Sequence, residues 1–269
     1  MDTEQRRRDE LAAFLRARRA RVDRAAVNMP PAPRSRVPGL RREEVAALAG
    51  VSVTWYTWLE QARPINPSPS VLGAIARLFA LTTSETDYLL RLGGHAGHTP
   101  TAIRAGELPG HVRHLLESLP DPAFLLAADW SIVAWNAPYA QLYARIEALA
   151  PEERNLLWLV FTDPALRRLM PDWSAQARRF AGEFRAAAGA AIGTPDLAGL
   201  VGRLSAASPE FAEIWAERDV ETFSSRERWF DHPDDGRIAY EEHKLVPLDA
   251  PGHQLVIYLR TAEVSTRTP

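Results

Sequence analysis

Along residues 9–24, apolar side chains recur at Leu11, Phe14, Leu15 and Val22, near helical spacing, with Arg16, Arg18, Arg19, Arg21 and Arg24 around them. The spacing predicts a helix with an arginine-rich outer face. From Leu40 to Glu60 the pattern is that of two helices broken by a tight turn. Val45, Leu48 and Ala49 share one face, Val51 plugs the corner, and Tyr56 and Leu59 resume the stripe after the break. Gly50 can take a positive φ without a Cβ penalty. Ser52 is suited to cap the second helix, its hydroxyl accepting from an otherwise orphan N–H. A short helix, a glycine turn and a capped second helix form the helix-turn-helix arrangement, whose second helix enters the DNA major groove. A plain helical hairpin is the alternative.

Between these segments, Asn28–Gly39 holds four prolines, so it is expected as an extended loop. It carries Arg34 and Arg36 just before Arg41 and Arg42, and such a stiff basic loop can lie along phosphates or reach the minor groove. A second proline-punctuated loop, Gln61–Ser70, follows Glu60. Ser70 is expected to cap a helix with the stripe Val71, Leu72, Ile75, Leu78 and Phe79, and a further helix ends at Gly93-Gly94. Five short helices thus make a compact all-α domain over 1–95. Its expected core is Leu11, Leu15, Val45, Leu48, Val51, Tyr56, Leu59, Val71, Ile75, Leu78 and Leu89.

Residues 96–108 are expected as a linker, within a stretch from Gly93 to Pro109 that holds four glycines and two prolines. Beyond Pro109 the pattern changes. His111–Leu119 is an amphipathic helix, and Ala123–Ala128 and Ser131–Trp135 are two strands around an Asp129-Trp130 turn. Asn136 caps a helix through Tyr139, Leu142 and Tyr143. A long helical middle spans Asn155–Phe161, Leu166–Met170, Trp173–Ala188, Asp196–Ser205 and a helix from Ser208-Pro209. Strands are expected at Val220–Phe230, Arg237–Val246 and His253–Thr261, with turns at Asp234-Asp235-Gly236 and Asp249–Gly252. The second domain, 109–264, is therefore five antiparallel strands with a helical cover, followed by a tail at 265–269. The fold class is α+β.

Two stretches carry a family resemblance. Val45–Glu60, with Gly50-Val51-Ser52, Tyr56, Leu59-Glu60 and Arg63, resembles the lambda-repressor-like helix-turn-helix of xenobiotic-response-element type, departing from it at Ala62, where glycine is usual. Gly39–Ala46, Trp55–Gln61 and Asn66–Ser70 narrow the resemblance to the MmyB-like regulators. The second half is similar to the ligand-binding domain of the same family at Val133–Asn136, Arg154–Leu157, Phe161–Pro164, Pro171–Trp173, Leu204–Phe211 and His232-Pro233. Strand, turn, strand, Trp-Asn and helix is also how PAS-type sensor domains begin. The resemblance implies a PAS-like pocket for a fatty-acid-like or similarly apolar ligand.

Composition adds an asymmetry. The net charge of −2 hides 15 arginines against 10 carboxylates in residues 1–100, and 17 cationic against 24 acidic side chains beyond. Only the first part suits a polyanion. The chain has no cysteine, no window near the ~18 apolar residues of a membrane span, and no apolar run behind the charges at its start. A cytoplasmic protein without membrane partners is expected. His95 with His98, and His111 with His114, lack neighbouring ligands at metal spacing. No metal or cofactor is expected.

By the family's pattern, Val53, Thr54, Thr57 and Trp58 reach base edges, with Ser52 near a phosphate. Valine and threonine methyls suit thymine, while threonine hydroxyls pair with several edges. No Arg, Asn or Gln precedes Gln61 in this helix, so readout leans on methyl contacts, outlying arginines and DNA shape. Arg34, Arg36, Arg41, Arg42 and Arg63 are the phosphate candidates. Trp55 and Trp58 can equally pack against a neighbour. In the second domain, Trp135, Tyr139, Leu142, Leu157, Phe161, Trp173, Phe180 and Phe184 are apolar candidates for lining a pocket, though aromatic residues at this spacing are more often core. Arg154, Asn155 and His232 are candidates for holding a polar head, and Asn136 is a further ligand-binding candidate.

Three functions compete. The first is a regulator that binds a double-stranded operator as a homodimer and responds to a small apolar molecule. The second is a DNA-binding protein whose second domain binds another protein or dimerises. The third is an enzyme fused to a helix-turn-helix. The chain lacks the common nucleotide, zinc-protease and serine-hydrolase signatures, and Glu241 with His243 on one strand face is the sole hint toward it.

Overall fold

The computed structural model describes residues 3–30, 39–95, 108–189, 191, 194–248, 250 and 252–261. The stretch 96–107, the tail 265–269 and part of the Asp249–Gly252 turn lie outside them. The chain packs into two compact units, Met1–His98 with Ala181–Thr222 and Thr99–Phe180 with Phe223–Pro269.

The first unit begins with five helices: α1 (Thr3–Arg21), α2 (Arg42–Ala49), α3 (Val53–Glu60), α4 (Pro69–Leu78) and α5 (Thr83–Leu92). The arginine-bearing helix starts earlier than the apolar stripe alone suggests. Leu11, Phe14 and Leu15 of α1 are buried with Val45, Tyr56, Leu59, Ile75 and Leu89, and Phe14 meets Tyr88 edge-on at 5.2 Å. Gly39, at φ +76°, sits where a Cβ would come within 2.1 Å of the Arg19 carbonyl oxygen, so α1 and the start of the helix pair pack backbone to backbone there.

Three expectations are corrected here. Leu48 is 45% exposed, because α2 turns Val45 and Ala46 inward instead. Val51, Val71 and Leu78 are only half-buried. The cap of α4 is Ser68, not Ser70: Pro69 takes the first helical position, and the Ser68 hydroxyl accepts from the Val71 amide at 3.3 Å. At α5, Thr82 and Glu85 cap one another's amides, Glu85 Oε2 accepting at 2.7 Å and Thr82 Oγ1 at 3.3 Å.

The same unit contains the end of α10 (Trp173–Ala188), with α11 (Pro195–Ala207) and α12 (Pro209–Glu217). A buried ion cluster ties these helices to the first five. Glu10 of α1 accepts from Tyr88 Oη at 2.8 Å and from Arg218, and Arg185 Nη1 lies 3.7 Å away. Arg185 also donates to the Trp215 carbonyl at 2.7 Å and stacks 3.9 Å over that indole. Arg18 bridges Glu85 (3.2 Å) and Asp219 (3.5 Å).

The second unit holds α6 (Gly110–Ser118), β1 (Ala123–Leu126), β2 (Ile132–Trp135), α7 (Ala137–Leu142), α8 (Leu156–Thr162), α9 (Pro164–Leu169), the first part of α10, β3 (Arg226–His232), β4 (Gly236–Leu245) and β5 (Gln254–Arg260). The strands form one antiparallel sheet in the order β2-β1-β5-β4-β3. The last strand is thus central, and Phe124 of β1 sits opposite Val256 of β5. Strand alternation sends Ala123 and Leu125 toward Val112 and Leu116 of α6, with Leu255 and Ile257. On the other face Phe124, Phe230, Tyr240 and Tyr258 form a chain of ring contacts, with Tyr139 of α7 4.5 Å from Phe124. Residues 220–225, expected as strand, precede the ladder: β3 begins at Arg226. No helix among the described residues is long and apolar enough to cross a membrane.

Candidate functional site

The helix pair is built as its sequence demands. Gly50 closes α2 at φ +70°, its amide donating back to Ala46 and Ala47. Ser52 Oγ accepts from the Trp55 amide at 3.1 Å and caps α3. Tyr56, Leu59 and Glu60 then face the core. The opposite side of α3 presents Ser52, Val53, Thr54 and Trp58, all exposed, with Thr57 and Trp55 half-buried beside them. Val53 is 46% and Trp58 42% exposed, so two large apolar side chains stand in water at the start and middle of this helix. The expected base-reading residues therefore share one outward surface.

The sequence did not single out what orients that surface. Glu60 is fully buried and acts as a hub. Arg19 Nε donates to its Oε1 at 2.6 Å and Arg19 Nη2 to its Oε2 at 3.1 Å, while Arg42 Nε donates to Oε2 at 2.6 Å. Arg19 also donates to the Leu40 carbonyl at 2.8 Å, and Arg16 to that of Glu60. Burial works to raise the Glu60 carboxyl, but Arg19 and Arg42 hold it below its usual value. Arg42 is thus held by its inner nitrogen while its side chain stays 42% exposed. Arg41 is exposed, 3.8 Å from Glu43. Arg63 is exposed just after Ala62, and Arg34 and Arg36 lie outside the described residues.

Ala62, standing where the resemblance has glycine, takes φ +57°. A Cβ in that region costs about 1 kcal/mol. Ala62→Gly is expected to raise the unfolding free energy by roughly 0.5–1 kcal/mol in urea titrations, the reverse of glycine's usual effect in a chain.

At the start of α2, Glu44 Oε2 accepts from the Arg41 amide at 2.7 Å, and both its oxygens take Arg24, at 2.7 and 2.8 Å. Those contacts lower its pKa to about 2, the Arg24 hydrogen bonds most of all. The stabilisation is present above the ordinary value of 4.5 and lost as pH falls toward 2. Melting curves of the wild type and Glu44→Gln are therefore expected to differ most near neutral pH and to converge between pH 4.5 and 2.

In the second unit, a small interior cavity of about 20 Å³ lies between the sheet and α7–α10. Tyr139, Leu142 and Phe180 of the sequence candidates line it, together with Tyr143, Leu156, Met170, Arg228, Phe230 and Tyr258, which the sequence reading missed as cavity residues. A cleft of about 430 Å³ shares Leu142, Tyr143 and Leu169 with it, and has Arg145, Arg168 and His232 among its lining. The other candidates sit elsewhere. Trp135 carries Arg154 over its ring at 4.9 Å. Asn136 spends its amide on backbone: its oxygen accepts from Ala123 and Tyr139, and its nitrogen donates to Leu119 and Asp121. Asn155 caps α8. Leu157 is core, and Phe161 packs on Trp173, whose indole N–H donates to the Val160 carbonyl at 2.7 Å. Phe184 packs against Trp215 at 6.1 Å in the first unit. The Nδ1 of His232 accepts from the Asp234 and Asp235 amides, which leaves the proton on Nε2, donated to the Gln141 carbonyl at 3.1 Å.

Other chemistry is sparse. No group of three metal-ligating side chains occurs among the described residues. Glu241 and His243 do share a face of β4, 3.4 Å apart, with Ser225 Oγ 3.4 Å from the other ring nitrogen.

The sequence model of the MmyB-like transcription regulator ligand binding domain matches residues 108–267, more than half of the chain. The chain belongs to the MmyB-like transcription regulators. A helix-turn-helix domain model matches residues 10–89, so the regulator joins a DNA-binding domain to a ligand-binding one. Comparison with curated proteins finds no match. The family region 108–267 includes α11 and α12, which pack in the unit that contains the helix-turn-helix.

Proposed function

We propose that this regulator binds a double-stranded operator as a homodimer and that a small apolar ligand, fatty-acid-like in kind, sets its DNA affinity from the second domain. On this reading Val53, Thr54, Thr57 and Trp58 contact base edges, and Ser52, Arg41, Arg42, Arg63, Arg34 and Arg36 contact phosphates. Tyr139, Leu142 and Phe180 line the ligand site. The observation that carries the reading is an outward helix face of Val53, Thr54 and Trp58 in one domain, and an aromatic and aliphatic cavity between sheet and helices in the other. Two-fold symmetry would place half-sites about one helical turn apart. A ligand acts only through unequal affinity for the DNA-competent and incompetent states.

Native mass spectrometry of freshly purified protein, paired with fluorescence anisotropy on the chain's own promoter, tests this. A co-purified small apolar molecule and a promoter preference over scrambled duplex that persists as salt rises are the expected results. Equal affinity for the two duplexes would sink sequence-specific regulation. A second reading, a protein-binding second domain, is favoured by Trp229 and Leu259, which stand 40% and 42% exposed on β3 and β5. A purified protein free of small molecules but dimeric through this domain would favour it.

A further inference from the structure

The interior cavity of the second domain holds a charge that the protein answers only in part. Arg228 of β3 is 3% exposed and lines the cavity with Tyr139, Phe180, Phe230 and Tyr258. Its Nη1 donates to Glu242 Oε2 at 3.0 Å, and its plane lies over the Phe180 ring at 4.5 Å. Its Nε and Nη2 are buried and have no acceptor. Glu242 is itself shared, with Arg226 at 3.8 Å and Lys244 at 3.9 Å. Buried N–H groups of a guanidinium are costly to leave without partners. The unanswered pair is the Nε/Nη2 edge, the fork that accepts a carboxylate bidentately.

We propose that Arg228 is the head-group anchor of the ligand site, so that the ligand is an apolar acid bound head inward with its carboxylate on the Nε/Nη2 edge. This rests on the reading of the cavity as a small-molecule site, and adds head-group selectivity and orientation to it. The sizes agree. The cavity of about 20 Å³ takes a head and not a chain, and the cleft of about 430 Å³ offers Leu142, Ala144, Ala165 and Leu169 to the chain. The competing anchors are at the cleft, where Arg145 is already engaged by Asp163 at 3.1 Å and Arg168 is exposed. The strand pattern of β3 hid Arg228, because charged and aromatic residues occur on both of its faces.

The whole 269-residue chain is titrated calorimetrically with decanoic acid and with its methyl ester at mildly alkaline pH, where the acid is ionised. The acid is expected to bind at least about tenfold more tightly than the ester. Arg228→Met is expected to abolish that preference, bringing acid affinity down to that of the ester, and Arg168→Met to preserve it. Glu242 keeps Arg226 and Lys244 in the Arg228→Met variant, so the carboxylate is not stranded. If that variant fails to fold, the wild-type ratio of acid to ester, together with its persistence in Arg168→Met, decides. Equal binding of both probes overturns the anchor and leaves the small-molecule site standing. Loss of preference in Arg168→Met alone overturns it in favour of the cleft. Binding of neither probe overturns both.

Discussion

Glu60→Gln is expected to destabilise the DNA-binding domain by about 3 kcal/mol, because it removes one charge from a buried pair and strands the other. Arg19, with a side chain 10% exposed, loses the carboxylate that takes two of its nitrogens. A domain of this size holds roughly 5–15 kcal/mol in all, so the loss is a large share. Urea denaturation followed by helical circular dichroism would show it. DNA binding should weaken further than unfolding explains, since Arg42 loses the contact that fixes its direction. A variant with unchanged stability would mean that the hub is not the keystone of α1, α2 and α3.

Glu10→Gln is expected to cost a similar ~3 kcal/mol. Arg185 is 1% exposed, and its ion partner is Glu10 at 3.7 Å. Arg218 loses the same carboxylate and Tyr88 Oη its acceptor charge. Burial works to raise the Glu10 carboxyl, and Arg218 with Arg185 overcomes it and holds the pKa below 4.5. The stabilisation is therefore present above pH 4.5 and lost as pH falls through the lowered value. Because Glu10 and Tyr88 lie in the helix-turn-helix match while Arg185 and Arg218 lie in the ligand-binding match, the variant should also loosen the packing of α12. Faster amide hydrogen exchange in α12 than in β1 would show that.

Much of the fold was legible because local chemistry fixed it. Gly50 and Ser52 announced their turn and cap, as did Asn136 and Ser208, and runs such as Ala123–Ala128, bounded by turn residues, marked the strands. Phase failed in the shortest elements. Two turns of α2 carry too little periodicity to tell Leu48 from Ala46, and the expectation of Ser70 as a cap overlooks Pro69, which marks the first helical residue and makes Ser68 the cap. Residues 220–225 have strand-like composition but no partner strand, and pairing, not composition, makes a ladder.

The sites were legible to a lesser degree. The outward face of α3 follows from helix geometry and a known docking mode, so its residues could be named. The ion hubs could not: Arg19 and Glu60 are 41 residues apart, and no spacing rule connects them. Asn136 shows the converse. An amide beside a PAS-like Trp-Asn step suggested ligand contact, yet its oxygen and nitrogen are each committed to two backbone groups.

Leu142, Tyr143 and Leu169 line both the interior cavity and the cleft, and on the proposed reading the ligand passes between them. On that reading a head group entering a space of about 20 Å³ needs those side chains to move, so its entry is expected to be paced by the protein and to fall below the diffusional rate. Departure is slowed by the same barrier. A regulator that takes up its ligand this way would average over brief fluctuations in its signal and hold its state after the signal has fallen.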